Sequence, residues 1–339
     1  MTPFAWRMRR DVQLEASLAD GAAGHAFALF CSANISGDSS ALQVAAGCVE
    51  RAVEAFQNYR HARGSLLYGA AGVHFVAALV RFASGKQPAS EESVREFLLA
   101  AQDAGDSLDA TFGLASTLIG GTVLRRVLQS EAVTIHELDD FLAANTERLI
   151  GLLKKGGLKS LNLPVSGLAH GAAGVVYALI GAAHALGMQM HGALESALAQ
   201  LAEVPMDADV QPWARKSLCN GAAGMAKLWV AAWRYSRNEQ HLERARRSAF
   251  EAGQVHEHTG PSLCCGLSGR SLSLLNLYHT TKEPVWLKRA SELRDAAARL
   301  LDRLASSRLD APHGLLKGEL GFKLTSELVD AATRQHQSL

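Results

Sequence analysis

A Gly-x-x-Gly motif returns along the whole chain, each copy opening an apolar run. Four copies share one Gly-Ala-Ala-Gly core: Gly21–Gly24, Gly69–Gly72, Gly171–Gly174 and Gly221–Gly224. Gly266-Leu267-Ser268-Gly269 and Gly318-Glu319-Leu320-Gly321 are looser copies, and Gly113-Leu114-Ala115-Ser116 is a degenerate one. The first glycines lie at 21, 69, 113, 171, 221, 266 and 318, so neighbouring copies are 44 to 58 residues apart. Self-similarity at such a period is the mark of a repeat architecture, in which units bury their apolar faces against one another.

Each period has room for two helices. The runs after the glycines, such as Val175–Gly187 and Met225–Ser236, are apolar nearly all round, as helices buried on most faces are. Between them lie amphipathic segments. In Val285–Ala305, Leu287, Ala290, Leu293, Ala297, Leu300, Leu301 and Leu304 follow 3-4 spacing while most charges fall on other faces. Period-2 alternation is scarce, and Ala and Leu outnumber β-branched residues. The pattern predicts an all-α protein of fourteen helices in seven hairpins, forming either an open superhelix or a closed α/α toroid with seven inner and seven outer helices. The even repeat lengths predict one domain over residues 1–339, with no inserted second domain. Only twenty residues precede Gly21, so the first outer helix should be short. Ser116, in place of a second glycine, predicts looser packing of the third inner helix.

Charge narrows the partners. With 34 Lys+Arg against 33 Asp+Glu there is no basic field to hold nucleic acid or an acidic membrane surface. The uncharged stretch Gly171–Met188 is long enough to raise the question of a membrane span. It contains His184 and four glycines, however, and sister repeats carry Lys227, Arg234 and Arg270 at comparable places, so a buried inner helix is expected. Five cysteines, two of them adjacent, suit a reducing, cytoplasmic compartment better than a disulfide framework. The N-terminus has no apolar h-region of a secretory signal.

The glycines themselves are not a phosphate loop, since no Gly-x-x-x-x-Gly-Lys-[Ser/Thr] follows a strand. The chemistry lies in the residues that precede them. Superimposable repeats would carry Asp20, Tyr68, Phe112, His170, Cys219 (with Asn220 between), Cys265 (with Cys264) and Lys317 to one end of the structure. Three cysteines and a histidine thus fall at matching places in repeats four to six. Thiolate and imidazole are zinc ligands, and a catalytic zinc takes three protein ligands and keeps one position open. Cys31 and Cys48 read as small buried hydrophobes. A disulfide between neighbours 264 and 265 is geometrically poor. His256 and His258 read as solvated loop residues rather than extra ligands.

Seven such hairpins, with Ser-Leu-Cys-Asn-Gly-Ala-Ala-Gly in the fifth and Ser-Leu-Cys-Cys-Gly-Leu-Ser-Gly in the sixth, resemble the lanthionine synthetase C (LanC) family from Gly21 to Gly321. The resemblance implies an α/α toroid with zinc near one end of the inner barrel. It implies Cys219, Cys264 and Cys265 as metal ligands, in the family's Cys-Cys-Gly variant, with His170 as the active-site histidine. Arg215, four residues before Cys219, matches a family arginine. Asp109 matches a family aspartate, with Asp106 and Asp103 as near alternatives. The implied reaction is Michael addition of a peptide cysteine to dehydroalanine or dehydrobutyrine, giving thioether rings. The implied partner is a precursor peptide already dehydrated by a separate dehydratase, because the chain is too short to hold that activity. It would then be a stand-alone cyclase or the cyclase domain of a larger synthetase. Three alternatives stay open: a related enzyme adding glutathione or another small thiol, a zinc toroid of the protein prenyltransferase kind, and a non-catalytic helical scaffold.

Overall fold

Inner helices start where the glycine motifs stand. A computed structural model describes residues 16–56, 64–103, 105–130, 133–204, 214–254, 259–306 and 313–338. The inner helices are α1 (Ala22–Ser36), α3 (Ala70–Ala83), α5 (Leu114–Ser130), α7 (Ala172–Ala185), α9 (Ala222–Ser236), α11 (Leu267–Thr281) and α13 (Glu319–Gln337). The outer ones are α2 (Ser39–Phe56), α4 (Gln87–Ala101), α6 (His136–Gly156), α8 (Gly192–Glu203), α10 (Glu239–Ala252) and α12 (Pro284–Ser306). A short 3-10 turn, Gly157–Leu161, fills the longest repeat. The expected first outer helix lies outside the described residues. Among the described residues no strand forms.

Each inner helix packs on the next, and α13 packs back on α1, so the layer closes into a ring. The outer helices lie against it: α2 on α1 and α3, α6 on α5 and α7, α10 on α9 and α11, α12 on α11 and α13. This is an α/α toroid. Burial follows the sequence pattern. From Ala172 to Ala183 every residue of α7 except Tyr177 and Gly181 is buried, whereas α12 buries a stripe of Trp286, Leu287, Ala290, Leu293 and Ala297. Among the described residues no helix is long and apolar enough to cross a membrane. Arg270, charged on an inner helix, is fully buried and donates to the carbonyls of Ala252, at 2.6 Å, and Gln254. It satisfies acceptors that the end of α10 leaves without helical partners. Burial pulls its guanidinium down to about 10.

Six inner helices begin at a glycine cap with no side-chain cap. Carbonyls of the preceding turn do the capping instead: Val165 accepts from Ala172 N–H at 3.2 Å, Arg215 from Ala222 at 2.8 Å and Gly260 from Leu267 at 2.9 Å. The turn must fold over the helix start, and a Cβ on the second glycine would collide with it. At Gly72, Gly174, Gly224, Gly269 and Gly321 that Cβ would strike the carbonyl oxygen of Leu66, Leu168, Leu218, Leu263 and Leu315 respectively. The same glycines receive a side chain from the preceding repeat, as Gly269 receives Leu218 Cβ at 3.0 Å.

Backbone bonds then join turn to turn around the rim. Ala19 N–H donates to Leu67 (2.9 Å), Ala110 to Ala169 (3.0 Å), Ala169 to Cys219 (2.6 Å), Cys219 to Cys264 (3.2 Å), Cys264 to Leu316 (2.8 Å) and Leu316 to Ala19 (3.1 Å). Between repeats two and three, Ser65 Oγ donates to Thr111 O at 2.7 Å. Ser116 adds a second link there: fully buried, it donates to Gly113 O (2.7 Å) and accepts from Leu66 N–H (3.2 Å). The serine replaces a bare glycine contact with a hydrogen bond, which is how α5 keeps its place in the ring.

Gly72→Ala is therefore expected to destabilise the protein by about 2 kcal/mol or more, since the obstacle is backbone. Gly47, exposed within α2 with nothing near its Cβ position, is the contrast: Gly47→Ala should stabilise by about 0.5–1 kcal/mol. Urea denaturation of the two variants measures both.

Candidate metal centre and active-site rim

The wrapped turns hold the residue before each glycine motif at the rim, and the structure brings these residues together. Cys219, Cys264 and Cys265 come from two turns joined by the Cys219–Cys264 backbone bond. Their sulfurs all lie within 4.8 Å of one another. Cys219 Sγ is 3.4 Å from Cys265 Sγ, which is 3.2 Å from Cys264 Sγ. All three are free thiols, as are Cys31 and Cys48.

A tetrahedral zinc with bonds of about 2.3 Å places its sulfurs about 3.8 Å apart. The observed spacing is close to that, and far beyond the roughly 2.05 Å of a disulfide. The donor set thus fits a soft divalent cation such as zinc, with these three as ligands. Without a cation, crowding makes the thiols share one negative charge. Hydrogen bonds from Cys264, Cys265 and Ser217 pull Cys219 down to about 2. Hydrogen bonding to Cys219, then burial and the Cys219 charge, push Cys265 up to about 11, and Cys264 moves up with it.

Beside the thiols, His170 Nδ1 donates to Asp109 Oδ2 at 3.1 Å. The His170 side chain is 41% exposed and that of Asp109 only 11%, so the imidazole faces the open side with the carboxylate behind it. Asp109 Oδ1 accepts the N–H groups of Thr111 (3.0 Å), Phe112 (2.7 Å) and Gly113 (3.1 Å). It occupies the turn position, four before the first glycine, that is Ser17, Ser65 and Ser217 in sister repeats. There the hydroxyls accept from Asp20, Tyr68 and Asn220 N–H, each near 3.1–3.2 Å. That register separates Asp109 from its neighbours. Asp103 follows the end of α4, and Asp106 lines a cavity of about 540 Å³ that also reaches Asp109, His170 and Arg148.

Two aromatic rings that the repeat register already brought to this end, without a role assigned to their contact, complete the rim. Phe112 stacks on His170 at 6.0 Å and on Tyr68 at 5.4 Å, and remains half exposed. Tyr68 is raised above its usual pKa by burial first, then by the charges of Asp20, Cys264 and Cys265. Lys317 is near enough to draw Cys265 downward. Arg215 sits one turn before Cys219; its carbonyl caps α9 and its side chain is exposed. His256 and His258 lie outside the described residues. Cys31 and Cys48 are away from this rim, on α1 and α2, and burial pushes the Cys31 thiol up to about 12.

A family model described as "lanthionine synthetase C-like protein" matches residues 12–334. The chain belongs to that family. Its fold is similar to a solved structure named nisin cyclase, with a TM-score of 0.74 and 17% identity over 96% of this chain and 90% of that one. At that identity the likeness shows the toroid alone. For this lanthionine synthetase C-like chain the cysteine cluster is a group that can hold a metal ion.

In metal-free protein at neutral pH, iodoacetamide should modify Cys219 first, because a lowered thiol pKa leaves more thiolate. Zinc should protect Cys219, Cys264 and Cys265 together and leave Cys31 and Cys48 as unreactive as before. Peptide mapping by mass spectrometry reads both results.

Proposed function

We propose that this chain is a zinc-dependent cyclase that joins cysteine thiols of a dehydrated peptide to dehydroalanine or dehydrobutyrine, forming lanthionine or methyllanthionine. The observation that carries this is the three-thiol cluster standing on the same rim as the His170–Asp109 pair. We also take the chain as one toroidal unit without an inserted domain, because α1 and α13 close the ring. The thiol chemistry fits a reducing, cytoplasmic setting.

Cys219, Cys264 and Cys265 would hold zinc, which when bound would supply Lewis acidity that brings the pKa of a substrate thiol down toward neutral pH. The protein's own groups do the rest. The peptide's thiolate sulfur forms a bond to the alkene β-carbon, and the π electrons move through the α-carbon to the carbonyl oxygen, giving an enolate. Asp109 fixes the imidazole with hydrogen on Nδ1, leaving Nε2 to hold the proton for the α-carbon. Delivery of that proton ends the addition, and His170 regains a proton from the one the substrate thiol released. Arg215, permanently charged, would be the group that stabilises the carbonyl on which negative charge develops. Phe112 and Tyr68 form a flat apolar wall on which a dehydrated residue can lie. A half-open rim admits a long chain, which a closed pocket for a small thiol need not do.

Incubation with a dehydrated peptide containing cysteine should remove alkylatable thiols while leaving the peptide mass unchanged. Persistent thiols would overturn peptide cyclisation, and a mass gain when glutathione is present would redirect the enzyme to small thiols. His170→Asn should slow ring formation by about a hundredfold. Asp109→Asn keeps the Oδ1 acceptor that caps the turn but loses the imidazole's partner. It should therefore cut rate about tenfold or more with little change in melting, whereas Asp109→Ala should also cost about 1 kcal/mol of stability. Cys265→His removes one thiolate charge, and cyclisation is expected to slow while zinc remains bound.

A further inference from the structure

At the other end of the inner helices is a second concavity that the chemistry of the cysteine rim does not use. Its volume is about 440 Å³, within the range of small-molecule sites. Helices α5, α7, α9 and α11 line it, and the lining includes Arg126, Lys227, Arg234 and His184 but no Asp or Glu. Fourteen residues of α7, from Ala172 to Ala185, separate this end from His170, roughly 20 Å at 1.5 Å per residue.

Helix dipoles explain part of this charge. His184 and Arg234 lie in the last turns of α7 and α9, where a cation meets unpaired carbonyls. Lys227 does not fit that account. It is in the second turn of α9, half-buried. The residues in register with it, six after each first glycine, are Phe27, Phe75, Ile119, Tyr177, Leu272 and Leu324. Only in repeat five does a charge replace the apolar or aromatic residue. Among the described residues no carboxylate pairs with Lys227, Arg126 or Arg234. The contrast with Arg125 is direct: it is neutralised by Asp139 at 2.6 Å, while its neighbour Arg126 has a weak 3.4 Å bond to the Gly181 carbonyl. Arg234 is held by Thr280 Oγ1 at 2.6 Å.

The cations also feel one another. Burial lowers the pKa of His184, and Arg126, Arg237 and Arg234 lower it further. Arg234 is lowered by burial too, with Tyr177 opposing and Arg126 and Arg237 adding to the effect. Arg126, His184 and Arg234 are exposed and Lys227 is half-buried; like charges gathered on one wall without a counter-ion repel one another, and an anion would relieve that repulsion. Two guanidiniums and an ammonium supply the donors that phosphate and carboxylate oxygens accept. Gln129, Tyr177 and Asn276 add neutral hydrogen-bonding groups on the same wall.

We propose that this pocket binds a small oxyanion ligand, bearing phosphate or carboxylate groups, against Lys227, Arg126 and Arg234. It is independent of the cyclase assignment, since none of these residues lies on the rim.

Isothermal titration of the zinc-loaded protein with pyrophosphate and with citrate, at ionic strength matched with chloride, tests this. At least one should bind, with Lys227→Met weakening it about tenfold or more. Arg234→Gln, which leaves the lumen lysine in place, should weaken it as well, and added salt should weaken binding to the wild type. Binding of pyrophosphate alone would identify the phosphoryl form, and binding of citrate the carboxylate form. The proposal is overturned if neither anion binds better than chloride, or if both variants, folded by circular dichroism and still holding zinc, bind as wild type does.

Discussion

The close approach of a turn to the start of its own helix is the constraint on which the rest of this toroid depends. Helix starts leave N–H groups without intrahelical partners. Here carbonyls seven residues upstream take several of them, which requires the turn to lie flat over the helix. At the second position of six motifs a residue without a Cβ lets it do so, and in the third repeat Ser116 fits there with its hydroxyl bonded to Gly113 O and Leu66 N–H. With the turn in place, its free backbone groups face sideways, and each meets the turn of the next repeat. Six such links, with a seventh from Ser65 Oγ to Thr111 O, run once around the rim and return from Leu316 to Ala19. Ring closure, helix capping and the position of the rim residues are thus one solution to one backbone problem.

The candidate site follows from this geometry. Because Cys219 donates to Cys264 through the backbone, three sulfurs from turns 45 residues apart in sequence, at Gly221 and Gly266, are held together before any metal is considered. Likewise, the turn position four before a motif abuts the residue just before the next motif. Gly167 stands against Asn220, Gly314 against Asp20, and Asp109 against His170. The His170–Asp109 bond is one instance of a neighbour relation that the ring repeats, filled in this case with an acid and an imidazole. Different side chains in equivalent slots turn a symmetric frame into an asymmetric site.

That explains what was legible in the sequence. Missing Cβ atoms leave a local trace, so the seven motifs, the helix starts and the all-α class could be read from Gly21, Gly69, Gly171 and their sisters. Amphipathic spacing foretold Leu287, Ala290, Leu293 and Ala297 in the buried stripe of α12, but it passed over Trp286, and Leu300, Leu301 and Leu304 are only half-buried. Grouping the three cysteines needed only their equivalence under the repeat. Six of the closing hydrogen bonds are carried by backbone atoms and have no signature in residue type; the seventh comes from the Ser65 hydroxyl. Choosing Asp109 over Asp103 and Asp106 required noticing that it stands in register with Ser17, Ser65 and Ser217, a signal present but weak in a degenerate repeat. The stack of Tyr68, Phe112 and His170 joins residues from three repeats, and no spacing within one repeat predicts it. Ser116 was misleading for a related reason: a small polar residue in a glycine slot looks like lost packing until its hydrogen-bond partner in the previous repeat is known.

The two ends of the inner helices are under different constraints, and the sequence varies accordingly. At the N-terminal end every side chain rides on a turn fixed by the ring, so one substitution changes chemistry without moving the backbone. At the C-terminal end no such ring exists, and side chains project from helices that have completed their packing. Charge lines the lumen in α5, α7 and α9, whereas in α1 and α3 the residues in register with Lys227, Phe27 and Phe75, pack on each other with rings 6.2 Å apart and tilted by 36°. Lys227 is a charge in a register that its six sisters fill with apolar or aromatic residues. Packing gives no reason for it, because a methionine or leucine at 227 would fill the same register as its sisters. A charge that packing does not call for, set beside Arg126 and Arg234 around one cavity, is a place suited to an anion.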